Sequence, residues 1–76
     1  MNPAIIGKRL RDLRGNKTLE EVAKDLGISV SALTMYELGN RVPRDEIKEK
    51  LASYYKKTVG FIFYNEMSQI VTQEGA

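Results

Sequence analysis

The chain has 76 residues, near the lower limit at which one hydrophobic core holds itself together, and one small domain is expected. It contains no Cys and no His, which excludes disulfide staples and thiolate metal sites and removes the commonest metal ligand and general base. The net charge of +2 is uneven: residues 1–44 carry eight basic against five acidic residues, and residues 45–76 carry four against five. A polyanionic partner for the first half fits this balance, and so does a mixed solvated surface.

No apolar run long enough to span a membrane and no signal-peptide pattern is present, so a cytosolic protein is expected. The first segment, "NPAIIGKRLRDLR", has Asn2 as a cap and Pro3 at the first helical position, where a missing N–H costs nothing. Ile6, Leu10 and Leu13 form its inward stripe, with Lys8, Arg9 and Arg11 elsewhere on the surface, and Gly15-Asn16 ends it. "TLEE", from Thr18 to Glu21, is a capping box, and Leu19, Val22, Ala23 and Leu26 face inward in the helix it opens.

Gly27 stops that helix, and Ser29 caps the next, which carries Leu33 and Tyr36 and ends at Gly39. Pro43 is expected to open a fourth helix, with Asp45 and Glu46 in its first turn and lysines later, as the helix dipole prefers. Its stripe is Ile47, Leu51 and Tyr54 or Tyr55. Thr58 caps a short fifth segment, "VGFIFY", in which Val59, Ile62 and Phe63 face inward. Residues 1–64 form the domain; in the tail, residues 65–76, the spacing of Met67, Ile70 and Val71 predicts a short amphipathic helix that aids dimerisation.

Two short helices joined by a tight turn are the unit that presents its second helix to the major groove of DNA. The unit needs a small residue where the axes approach (Ala23) and, four positions on, a residue free to take positive φ (Gly27). Apolar residues must flank both points, and Val22, Leu26, Ile28, Leu33 and Tyr36 do so. All seven positions fall in one window of 15 residues, from Val22 to Tyr36.

From about Ile6 to Phe63 the chain resembles the helix-turn-helix domain of the Cro and phage-repressor type, the Xre family of bacterial and phage regulators. The resemblance is carried by "TLEEVAKDLGISVSALTMYELGNRVPRDEIKEKLASYY" and by "KKTVGFIF". It implies an all-α, compact five-helix fold with the helix-turn-helix at helices 2–3. It also implies a transcriptional regulator, a repressor, that inserts helix 3 into double-stranded operator DNA, usually as a homodimer. Many relatives open the second helix with Thr-Gln, whose Gln touches DNA; Thr18-Leu19 lacks that contact here.

On the outward face of helix 3, Ser31 and Thr34 suit base edges, and Val30 and Met35 suit a thymine methyl. The alternative is an ordinary solvated face, which explains an exposed Val and Met poorly. Asn40, Arg41 and Arg44 lie where loop residues contact phosphate, with Lys17 and Thr18 at the other edge of the motif. For Thr18 the cap is sufficient explanation, and for Ser29 cap and phosphate contact stand equal. The resemblance implies a partly buried ion pair between Arg14 and Glu37. Phe61, with Met67 and Ile70 as helpers, is either core filling or a homodimer contact.

No enzyme is expected, and no cofactor or metal: Asp45, Glu46 and Glu49 read as helix-dipole partners. The competing function is an antitoxin-type protein-binding module that also binds its own promoter. On that reading a toxin, or another protein antagonist, is a second partner.

Overall fold

The computed structural model describes residues 2–64. Five helices follow in order: α1 (Pro3–Arg14), α2 (Leu19–Leu26), α3 (Val30–Leu38), α4 (Asp45–Tyr55) and α5 (Val59–Phe63); among the described residues there is no strand. The tail reading, including Met67 and Ile70, lies outside the described residues.

Side-chain caps start four of the five helices. Asn2 Oδ1 accepts from the amides of Ala4 and Ile5 at 3.0 and 3.2 Å, ahead of Pro3. Thr18 Oγ1 accepts from Glu21 N while Glu21 Oε1 accepts from Thr18 N, both at 3.0 Å, which is the reciprocal capping box. Ser29 Oγ accepts from Ala32 N and Thr58 Oγ1 from Phe61 N, again at 3.0 Å. Gly27 and Gly39 close α2 and α3 in the left-handed region, at φ 71° and 78°.

The fourth helix starts differently from the expectation. Pro43 is not its first residue: it is buried and lies outside the helix, Arg44 is the extended N-cap at ψ 167°, and the helix opens at Asp45. A buried proline ring packs without asking for an amide partner, so Pro43 serves burial in the connection rather than the first turn. The lysines of α4 also depart from the pattern. None lies in its last turn, and Lys48 is buried at 6% exposure instead of facing water near the C-terminus.

Ile6 and Leu10 of α1, Val22, Ala23 and Leu26 of α2, and Leu33 and Tyr36 of α3 share one core with Leu51 and Ala52 of α4 and Ile62 and Phe63 of α5. Tyr54 and Tyr55 are both half-buried against it, edge to face with ring centroids 5.1 Å apart. Arg9 is not the surface cation expected. Its Nη1 donates to the carbonyls of Phe61 and Ile62 at 3.0 and 3.2 Å, which satisfies two C-terminal carbonyls of α5 and ties α5 to α1.

Candidate nucleic-acid interface

α3 packs against both α1 and α2. Its approach to α1 is backbone to backbone. A Cβ at Gly7 would stand 2.3 Å from the carbonyl oxygen of Glu37 and 2.9 Å from that of Tyr36. A Cβ at Gly39 would meet the Cα of Ala4 at 3.0 Å. A mid-helix Gly costs about 1 kcal/mol against Ala, so Gly7 carried a readable signal: an interior glycine beside Ile6 and Leu10 asks for close helix contact.

The Arg14–Glu37 pair fixes the same junction. Arg14 Nε and Nη2 donate to Glu37 Oε2 and Oε1 at 2.8 and 3.1 Å, and Nη1 donates to the Lys17 carbonyl at 2.8 Å. The side chains are 13% and 6% exposed. The bidentate bond to Glu37 holds the guanidinium above its usual range, against a smaller opposing effect of burial. Such a pair adds little net stability over apolar packing, but removing one member leaves the other unpaired, at about 3–5 kcal/mol.

Leu33 and Tyr36 turn into the core, and the opposite side of α3 carries Val30, Ser31 and Met35, all exposed; Val30 and Met35 are 36% and 37% exposed. Thr34 stands apart from them: it is half-buried and lines a groove against α1. Leu38, at 65% exposure the most exposed large apolar residue described, was not singled out in the sequence, because the helix period alone does not separate a terminal rim from the core stripe.

Around this helix, Ser29 and Thr18 spend an oxygen lone pair on their caps, and each hydroxyl proton is still available to an acceptor. Lys17 is exposed, its ammonium 5.9 Å from the centre of the Tyr54 ring. Asn40, Arg41 and Arg44 are exposed along the connection from α3 to α4, and the Arg44 side chain makes no capping bond. Phe61 lies away from them, half-buried, with the Lys57 ammonium 5.4 Å above its ring. Among the described residues no cluster of acidic, His or Cys side chains could hold a metal ion, and no helix is long and apolar enough to cross a membrane.

Two short capped helices, a left-handed glycine between them and a second helix with a free outer face define a helix-turn-helix module. The helix-turn-helix family profile matches residues 8–62. The chain belongs to the helix-turn-helix family, in its Cro and phage-repressor type. It is 38% identical over 53 residues to the cryptic phage CTXphi transcriptional repressor RstR of Vibrio cholerae, a match covering 67% of this chain and 48% of that repressor. The chain thus spans about half the length of the curated relative it matches. No solved structure matches.

Proposed function

We propose that this protein is a sequence-specific regulator of transcription, a repressor, that binds double-stranded DNA by placing α3 in the major groove and performs no catalysis. The observation that carries the reading is the outer face of α3. Exposed Val30 and Met35 stand there beside Ser31, on a helix whose other side is fixed by Leu33, Tyr36 and the Arg14–Glu37 pair. Val30 and Met35 are assigned to thymine methyl groups, and Ser31 and Thr34 to base edges.

Lys17, Thr18, Ser29, Asn40, Arg41 and Arg44 are assigned to phosphates flanking that groove, where they set register without reading sequence. A reducing, cytoplasmic setting agrees with the lack of Cys. Resemblance to a phage repressor over most of the chain supports repression over activation.

The test begins with selection of a preferred site from random duplexes, followed by paired titrations on that site and on unselected DNA. Ser31→Ala and Thr34→Ala should each lose about 1–3 kcal/mol on the selected site and little on unselected DNA. If both variants keep the specificity ratio of the wild type, α3 does not read sequence through these two residues. Failure of the wild type to bind any duplex at low salt would remove the function itself.

A further inference from the structure

The groove between α1 and α3, about 380 Å³ in volume, is lined by side chains of both helices and is continuous with the outer face of α3 through Thr34. Its charges are not equivalent. Arg14 and Glu37 neutralise one another, and Lys8 lies 3.1 Å from Asp12 in an exposed pair of the kind worth at most about 1 kcal/mol. Arg11 lines the same groove, is exposed, and has no ion pair among the described residues. Beside it the lining is apolar, with Ala4, Leu19 and the largely exposed Leu38.

An unpaired cation next to an apolar wall matches one strand of a duplex, which alternates an anionic phosphate with the carbon face of a deoxyribose. An acidic peptide would satisfy Arg11 equally, but it would have no reason to lie along the face that runs on from Ser31 through Thr34. We infer that this groove seats the sugar–phosphate chain of the strand bordering the major groove that α3 enters. Arg11 donates to one phosphate, and Leu38 lies against the neighbouring deoxyribose. The interface then reaches across α3 to both sides, with Arg11 opposite the Arg41 and Arg44 edge. This assignment rests on the proposed binding mode of α3.

The experiment compares the full chain with Arg11→Ala, Leu38→Ser and, as a control of equal charge loss, Lys56→Gly at the end of α4. Affinity for a labelled random duplex is followed by anisotropy from 50 to 200 mM salt, a range over which each phosphate contact is read as slope. Arg11→Ala should lower the log–log slope by about one and weaken binding roughly threefold to tenfold near 0.1 M salt, with an unchanged melting curve. Lys56→Gly should leave the slope alone. Leu38→Ser should weaken binding with the slope intact. Ethylation interference should show one flanking phosphate that matters to the wild type and not to Arg11→Ala.

If the wild type binds DNA and Arg11→Ala keeps both its slope and its interference pattern, the groove assignment is overturned and the function stands. If the wild type binds no DNA, the function itself has failed. A polyglutamate peptide that binds the wild type more tightly than duplex does, and is lost with Arg11→Ala, would make the occupant a protein segment and overturn the assignment.

Discussion

Tyr55 presents a hydroxyl to the interior with no hydrogen-bond partner among the described residues. Burial, with Glu37 and Tyr54 adding smaller effects, pushes this phenol up to about 12 from its usual 10. Lys48 is also raised, first by its 2.9 Å bond to Tyr64 Oη, with burial opposing and Asp45 assisting. Both groups have folded values above their unfolded ones, so stability is undiminished below about pH 10 and falls as pH rises through the folded values: Lys48 then gives up the bond to Tyr64, and Tyr55 must ionise inside the fold.

Discounted for a ring that is only half-buried, the loss from ionising Tyr55 between about pH 10 and 12 amounts to about 1 kcal/mol. Tyr55→Phe removes the unpaired hydroxyl and keeps the ring. Thermal melts at pH 7 should therefore show the variant equal to the wild type or up to about 1 kcal/mol more stable, a gain of several degrees for a domain of this size. Its decline between pH 10 and 12 should be shallower. A lower Tm for Tyr55→Phe at pH 7 would mean that the hydroxyl is satisfied after all.

Among the elements, the α1–α3 contact decides how the outer face of α3 is presented. Gly7→Ala drives a methyl into the Glu37 backbone, where no side chain can swing aside, so the helices must separate. Overpacking of this kind costs about 1–3 kcal/mol, more than the roughly 1 kcal/mol that alanine gains in helix propensity. The expected result is a lower midpoint in urea with an unchanged m-value, together with weaker binding to every DNA sequence. A variant as stable as the wild type would show that α1 can slide without penalty.

The contrast between α2 and α1 shows which features a sequence reveals. The capping box at Thr18, the turn at Gly27 and the inward pair Leu33 and Tyr36 are local signals, spaced by the helix period, and each lies where the pattern placed it. Arg9 and Lys48 misled because their roles are set by partners well away along the chain. A cation reads as solvated until the carbonyls of Phe61 and Ile62, or the hydroxyl of Tyr64, are brought to it. On α3, the exposure of Ser31 and Met35 was legible from the helix alone, whereas the half-buried setting of Thr34 depends on α1.

For the whole molecule the open matter is assembly. A single module of this size covers one half-site, and specific recognition of a longer operator calls for two, spaced by about 34 Å. We propose the exposed part of Phe61 as the contact between copies, since half of that ring is already covered by its own core and Lys57. Sedimentation of the wild type at micromolar concentration should give a dimer, and Phe61→Glu should give a folded monomer with about the same melting point. A wild type that remains monomeric on its selected operator would exclude this arrangement.

The bond from Arg9 to the carbonyls of α5 spans 52 and 53 residues, so it also acts on the order of events in time. α2 and α3 meet across a three-residue turn and can pair as soon as both exist, whereas α1 cannot complete its contacts until the end of α5 has been made. During synthesis from the N-terminus, α1 can close on α3 early, and the side of the core that Ile62 and Phe63 cover stays open until α5 is made, the interval in which a nascent chain is most open to aggregation or to a chaperone. The first helix translated is thus secured in two steps, on α3 early and by the Arg9 bonds last.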